Sequence, residues 1–450
     1  CTEMARGGLY DHVGGGFHRY TVDDHWGIPH FEKMLYDEGQ LLRVYVETWR
    51  RTRARPGTEN DDLVWPIRES VDFLRREMTA EDGGWFASQD ADSEGEEGTF
   101  YVWTPEQVEG VLGADRAHTF CTAYSVTQRG NFEHGTSVLQ DVARETRKDF
   151  AEERRELLKA RASRVAPGTD TKRVASWNAY TISGLARAGS LLGDASMLDD
   201  AIAAADFVFE KMTDDTGRLL RVFNQGRAHV PAFLDDVASL LEACLDLYRA
   251  GAGARFAGSA LRLADDVAAR FFDAGENDLF LTPNDADPLA IRPRSDHDGA
   301  TPHSCGLAVL GLLRVASLSG RSDLDTLARG VLDTHAASLE RGPESLPTLS
   351  RAALLAANTP STAVILGAPE HEQTVALATA ARLLLGPMDA VVVVAPGEKS
   401  ASYLDPAWLL GRNPVNDAPT AYVCRGTACT LPVNEPAKLA LLDDTTRSGV

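Results

Sequence analysis

Apolar residues recur along this chain with a helical period. In 38–54, Leu41, Leu42, Tyr45, Val46 and Trp49 share one face, and in 63–78 Val64, Ile67, Val71 and Leu74 do the same. Thr104-Pro105-Glu106-Gln107 has the form of a capping box with proline at the first helical position, and opens a short helix to Leu112. The same period predicts helices over 177–192, 197–212, 235–249, 256–272, 301–319, 324–339 and 370–385. A degenerate repeat runs among them. Asp72-Phe73-Leu74 leads through Met78 to Asp82-Gly83-Gly84-Trp85. Asp206-Phe207-Val208 leads through Met212 to Asp215-Thr216-Gly217-Arg218, and Asp266-Val267 through Phe271 to Glu276-Asn277-Asp278-Leu279. Each is an amphipathic helix, an Asp/Gly turn and a short extended segment. No helical hairpin buries its apolar stripe alone, whereas a closed ring of stacked hairpins does. The expected fold is therefore mainly α, an (α/α)6-type toroid.

The pattern changes near the C-terminus. Thr362 to Leu366 and Ala390 to Val394 read as strands flanking the helix that starts near Glu370, and 422–424 as a further strand. A small α/β appendage is expected there, dividing the chain into 1–358, the toroid, and 359–450, the appendage with a closing helix. The charged stretch 143–173 reads as a solvated helix followed by a loop around Ala166-Pro167-Gly168.

The 450 residues carry 45 basic and 66 acidic side chains, a net charge of −21. Such a chain repels phosphate backbones and anionic lipid, so no nucleic-acid or membrane partner is expected, and a neutral ligand such as a sugar fits better. Six sparse cysteines do not make a disulfide scaffold, and a reducing cytosol is the expected compartment. Cys424 and Cys429 read as unpaired thiols, although a disulfide across their turn is possible; zinc would need further ligands that are not close in sequence. The chain starts at Cys1 and runs at once into a dense motif, so an upstream part is expected to be missing.

Candidate chemistry concentrates in two segments. Gly7 to Asp37 holds His12, His18, His25 and His30 among glycines and aromatics. Polar, irregular segments of this kind must satisfy their backbone groups and often line a site, though an internal polar network would look the same. His30 lies near Glu32 and Asp37, and a helix starting there would put it on one face with Met34. A histidine among carboxylates suits proton transfer near neutral pH. The second segment, Gly83 to Trp103, packs Asp90, Asp92, Glu94, Glu96 and Glu97 together. It resembles a calcium loop only in part, because Tyr101 stands where the distal glutamate would be. Paired carboxylates flanked by aromatics also serve sugar chemistry. The expected roles are proton transfer by His30, Glu32 and Asp90. Substrate contacts are expected from His12, His18, Arg19, Trp26, Trp85, Asp92, Glu94, Trp177, Asn178, Asp235, Asp236 and Asp298. Ser176, Asp235 and Thr301 serve equally well as helix caps. No cofactor and no metal is expected.

The strings GGLYDHVGGGFHRYTVDDHWGIPHFEKMLYDEGQL and QDADSEGEEGTFYVWTPEQV resemble the spermatogenesis-associated, thioredoxin-domain protein family. So do SWNAYTISGLARAG, FLDDVASLLEACLDLY and DGATPHS before an apolar helix, and the resemblance covers essentially the whole chain. It implies an N-terminal thioredoxin-like domain, missing from this chain, followed by a toroid similar to N-acylglucosamine 2-epimerases and six-hairpin glycosidases and here lacking its first helices. Two places depart from the family pattern. Ala179 follows Asn178 where the family usually has glycine, and His303-Ser304-Cys305-Gly306 follow Pro302 where it usually has Ser-Gly-Asn-Ser. By fold analogy the resemblance implies a carbohydrate-acting protein, a sugar epimerase or glycoside hydrolase-like enzyme. The alternative is a non-catalytic binding or scaffold module working with the missing domain on a protein client.

Overall fold

The computed structural model describes residues 1–53, 61–144, 147–287, 290–395, 403–426 and 428–440. The chain is mainly helical and falls into two compact units, Cys1–Thr181 and Ile182–Val450.

In the first unit α1 (Thr2–Arg6) precedes the glycine-rich segment. Then come α2 (Leu35–Thr52), α3 (Asp61–Phe73), α4 (Pro105–Leu112), α5 (Ala114–Ala123) and α6 (Ala151–Arg161). α2 packs against α3 and α4 against α5. The capping box at Thr104 forms as expected, with Thr104 Oγ1 accepting from Gln107 N and the Gln107 side chain accepting from Thr104 N. Helix α6 is not simply solvated: Leu157 and Arg161 are fully buried, and Leu157 joins a core with Trp103, Val108, Phe120 and Phe150. α7 (Ala175–Leu192) contains the boundary between the units. Near its start it crosses α2 at Gly39, where an added Cβ would lie 2.5 Å from Thr181 N.

The second unit continues with α8 (Ala195–Lys211), α9 (Leu234–Ala250), α10 (Ala254–Asp266), α11 (Ser304–Ser319), α12 (Ser322–Arg341) and α13 (Pro347–Ala357). α9 and α11 are buried almost all round, as their apolar sequences require, and pack on each other; α11 also packs on α13. α10 and α12 bury one face only, against α9 and α11. The result is an inner layer of alternate helices covered by an outer layer of their hairpin partners. Within the inner layer Asp246 of α9 accepts from Ser183 and Arg187 of α7 and from Arg314 of α11, whose other nitrogen reaches Glu242.

The degenerate repeat has a common structure. In each copy a helical segment ends at a fully buried residue, Met78, Met212 or Phe271. The chain then makes an antiparallel bridge across a tight turn: Thr79 with Trp85, Thr213 with Leu219, Phe272 with Leu279. The residue after the turn donates its N–H back to the helix end: Phe86 to Met78 at 2.8 Å, Leu220 to Met212 at 2.7 Å, Phe280 to Phe271 at 3.0 Å. In the first and third copies the last turn widens into π-helix, Leu74–Met78 and Val267–Phe271. Another hairpin, Leu220–Asn224 with Arg227–Pro231, is not apparent from the sequence period.

The C-terminal α/β element forms around the strand Ser361–Leu366. It pairs in parallel with Ala390–Val394 through α14 (Glu372–Leu384) and antiparallel with Thr420–Arg425. Ala428–Cys429 adds the edge, and α15 (Pro436–Ala440) follows. Contrary to the reading as free thiols, Cys424 and Cys429 form a disulfide. The hairpin register places them opposite each other with Cα atoms 3.9 Å apart. Among the described residues no helix is long and apolar enough to cross a membrane.

Candidate functional site

The glycine-rich segment folds on itself before it presents anything outward. Tyr10 and Phe17 pair across a loop in which Asp11 Oδ1 accepts from Val13 N and Gly14 N. Gly16 takes φ +82° with Phe73 and Glu38 so close that no side chain fits. Asp11 Oδ2 receives Lys33 Nζ at 2.8 Å, and Arg161 grips both carboxylate oxygens at 2.9 Å. All three side chains are buried. Burial opposes ionisation of Asp11, but Arg161 and then Lys33 outweigh it and hold the carboxyl well below the usual range.

His12 and His18 belong to this core. His12 Nε2 donates to the carbonyls of Arg6 and Gly7, and Nδ1 accepts from Arg147, which assigns the tautomer. His18 Nδ1 bonds Phe31 O. Burial, reinforced by Arg147 for His12 and Lys33 for His18, lowers both to about 3, so both are neutral at pH 7. The cavity they line with Tyr10, Phe31 and Tyr101 measures about 10 Å³, room for no more than one water.

Beyond this core the chain opens into a partly exposed cluster. Tyr20–Thr21 pairs with Pro29–His30, so His30 sits in a short strand, and helix α2 starts only at Leu35. The expected helical pairing of His30 with Met34 does not form, because Lys33–Met34 is itself extended against Ser88–Gln89. His30 Nδ1 meets Glu97 Oε1 at 2.7 Å, and its Nε2 meets Glu32 Oε2 at 3.2 Å. Arg19 holds the same Glu32 oxygen at 2.9 Å, and the Tyr20 ring stacks on His30 at 5.0 Å. Glu97 reaches this point because Asp92–Ser93 and Glu96–Glu97 form a hairpin turning at Glu94-Gly95.

Asp37, in the first turn of α2, adjoins this group electrostatically. Burial pushes its carboxyl up to about 7, opposed by Arg19 and assisted by Glu32. Its Oδ2 has no hydrogen-bond partner among the described residues. Tyr36 is raised by burial and then by Asp37, and its ring meets Trp177 edge-on at 4.9 Å. The sequence reading places Asp37 near His30 without giving it a role. What the sequence hides is its burial, which depends on packing around the start of α2.

The remaining expected site residues lie as follows. Asp90, Asp92 and Glu94 are exposed, and Asp90 caps its own turn through Ala91 N. Among the described residues they do not converge on a point that suits a cation. Trp26 is exposed at a turn tip with φ 65°, beside a loop that Asp23 ties to His25, Gly27 and Ile28. Trp85 and Asn178 are buried and bonded to each other through the Trp85 backbone. In the second unit Arg221 pairs with Asp235 and Asp236, and Asp236 also accepts from Phe233 N at the start of α9. Burial and Asp235 push Asp236 up to about 7 against the pull of Arg221. Asp298 accepts from His303 N and Thr348 N. Of the expected caps, Ser176 lies inside α7. α11 is capped by His303, whose Nδ1 accepts from Gly306 N, and not by Thr301.

No family model matches the chain. Spermatogenesis-associated protein 20 of Homo sapiens is 30% identical over 98% of this chain and 61% of its own length. The Mus musculus protein of that name is 31% identical over the same shares. This chain thus spans about three fifths of the curated relatives it matches. Among solved structures, a sugar epimerase from a ruminal bacterium is 14% identical, with TM-score 0.46 over 72% of this chain and 66% of that one. A family 76 glycoside hydrolase (mannosidase) of Bacteroides thetaiotaomicron is 8% identical, with TM-score 0.45 over 79% of each. Over nearly its whole length this chain is similar to spermatogenesis-associated protein 20.

Proposed function

We propose that the first unit binds a neutral sugar at the Arg19–Tyr20–His30–Glu32–Asp37 cluster and moves a proton on it, by epimerisation or hydrolysis. The observation that carries this reading is Asp37: a carboxyl held up to about 7, with one oxygen that has no partner among the described residues, beside a histidine clamped between two glutamates. A carboxyl that titrates near neutrality can give and take a proton at working pH, whereas an ordinary surface carboxylate cannot give one. His30 carries its proton through the two glutamates that hold its nitrogens, Glu32 and Glu97. The half-buried Trp177 and the exposed Trp26 and Tyr20 offer ring faces to a pyranose. Asp90, Asp92 and Glu94 are free to meet hydroxyls from solvent. In this reading residues 1–358 are the toroid and 359–450 the appendage.

The test is a panel of monosaccharides and disaccharides, with binding followed by NMR and turnover by product analysis. Turnover is expected to fall at least about a hundredfold in His30→Ala and Asp37→Asn, within the span of general acid–base contributions. The wild-type rate is expected to show a limb near pH 7 that Asp37→Asn removes. A bound sugar turned over equally by wild type and both variants would end the proposal.

A second reading has its own support. His12, His18, Trp85 and Asn178 are consumed by internal bonds, as befits a scaffold more than a catalyst. It proposes a binding module that works with a thioredoxin-like domain on a protein client. That domain supplied in trans would then be retained by this chain, and no sugar would bind.

A further inference from the structure

Outside the first unit, three side chains of metal-binding type meet in the second. Asp278 stands on the short strand Asp278–Leu279, Cys305 in the first turn of α11 and His335 on α12. Two tight connections bring them together: the hairpin that closes the third repeat, and the turn joining the buried α11 to its outer partner α12. His335 Nε2 lies 2.9 Å from Asp278 Oδ1 and 3.9 Å from Cys305 Sγ, and all three donor atoms lie within 4.8 Å of one another. One nitrogen therefore faces both the carboxylate and the sulfur.

We propose that Asp278, Cys305 and His335 form a binding site for a thiophilic divalent cation, zinc above all. A tetrahedral zinc bound by sulfur, imidazole and carboxylate spaces its donors by roughly 3.3–3.7 Å, from bond lengths of about 2.0–2.3 Å. The observed separations of 2.9 and 3.9 Å bracket that spacing. A small turn of the His335 ring away from Asp278 and toward Cys305 equalises them. Asp278 and Cys305 are almost completely buried, while the His335 side chain keeps 17% exposure, so one side is open for entry. The surrounding groups suit a metal site. Arg294 Nε holds Asp278 Oδ2 at 3.2 Å, orienting the carboxylate and leaving Oδ1 toward the imidazole. Arg294 also reaches Glu276, which draws part of its charge away. Leu279 N donates to Oδ1.

His303, with its ring 6.3 Å from that of His335, is not a fourth ligand, because its nitrogens are engaged with Gly306 N and Ser295 O. Three protein donors with a fourth position left to a small molecule is the arrangement of sites where zinc activates water. Thiolate and carboxylate together balance the charge of the ion, and binding releases the thiol proton to solvent. An ordinary buried ion pair accounts for Asp278 and His335 but leaves no reason for the sulfur to face the same nitrogen. Cys305 stands 27 residues after Asp278 and 30 before His335, with no CxxC-like spacing to mark them.

The test is a cobalt titration of the full chain, freed of metal by a chelator. The expected result is one equivalent bound with a thiolate-to-cobalt charge-transfer band, lost in Cys305→Ser and His335→Ala. The band is expected to persist in Cys244→Ser, which alters another buried cysteine. X-ray absorption of the zinc-loaded wild-type chain needs no variant, and should show one sulfur at about 2.3 Å in the first shell. A shell of nitrogen and oxygen alone, no stoichiometric binding, or an unchanged band in Cys305→Ser would each overturn the site.

Discussion

Replacing Asp11 by asparagine separates a structural role from a catalytic one in the most conspicuous segment of the chain. The wild-type carboxylate receives Lys33, both arms of Arg161 and two backbone N–H groups, with its side chain and those of both cations buried. Asparagine keeps the shape and the oxygen facing Val13 and Gly14, but turns an NH₂ toward two cations and removes the charge bonded to both. Breaking a buried pair from one side costs about 3–5 kcal/mol. For a unit of the size of Cys1–Thr181 that is a fall in melting temperature of about 6–20 °C. Differential scanning calorimetry with urea unfolding gives the number. Adding Lys33→Met removes one of the stranded cations and should recover at least about 1 kcal/mol as a coupling between contacting residues. A melting temperature within about 2 °C of wild type would refute the reasoning, for it would mean that the cluster contributes nothing on the scale of a buried pair. Loss of sugar binding at unchanged stability would move Asp11 from core to site.

In the second unit, Asp246→Ala removes from the inner layer the carboxylate shared by Arg187 and Arg314, leaving Glu242 with Arg314. A loss of about 3–5 kcal/mol is expected from urea unfolding. Asp37 titrates near 7 in the folded chain against 3.8 when unfolded. Between those values the native state holds a proton that the unfolded state has lost, so stability falls as pH rises from about 4 to about 7. Asp37→Asn should match wild type near pH 4 and exceed it near pH 8 by up to about 4 kcal/mol; equal urea midpoints at both pH values would contradict the burial argument. Gly39→Ala drives a methyl into the Thr181 backbone. Overpacking of about 1–3 kcal/mol should outweigh the gain of about 1 kcal/mol in helix propensity, and a rise in melting temperature would show that α2 and α7 do not approach so closely.

The sequence makes legible whatever depends on local periodicity. α9 was expected over 235–249 and runs Leu234–Ala250, and the strand at Ala390–Val394 has its expected bounds. Where a local signal competed with pairing, pairing won. The run around His30 has a proline and a promising i,i+4 spacing, yet it is extended because Tyr20 and Ser88 offer strand partners on either side. The clustering of His30 with Glu97 follows from a hairpin turn at Glu94-Gly95 that amphipathic pattern does not encode. The histidines of the glycine-rich segment were conspicuous by type, but type does not reveal burial: His12 and His18 are almost wholly enclosed, whereas His30 keeps a quarter of its side chain in solvent. Asp278, Cys305 and His335 are invisible as a group because their proximity arises from how the Asp278–Leu279 hairpin, α11 and α12 pack.

The bridges at Thr79–Trp85, Thr213–Leu219 and Phe272–Leu279 are each locked to a buried helix end by a returning N–H, but their turn tips differ: Asp82 grips Arg173 and Asn277 bonds Gly330 of α12, whereas Thr216 turns on its own Asp214. In the second copy residues can be inserted between the bridging pair without altering where the chain re-enters the packed layer. The Thr213–Leu219 tip is therefore where evolution can lengthen or rewrite the surface cheaply, and where a reporter peptide or grafted loop should be accepted with the register of every neighbouring helix intact.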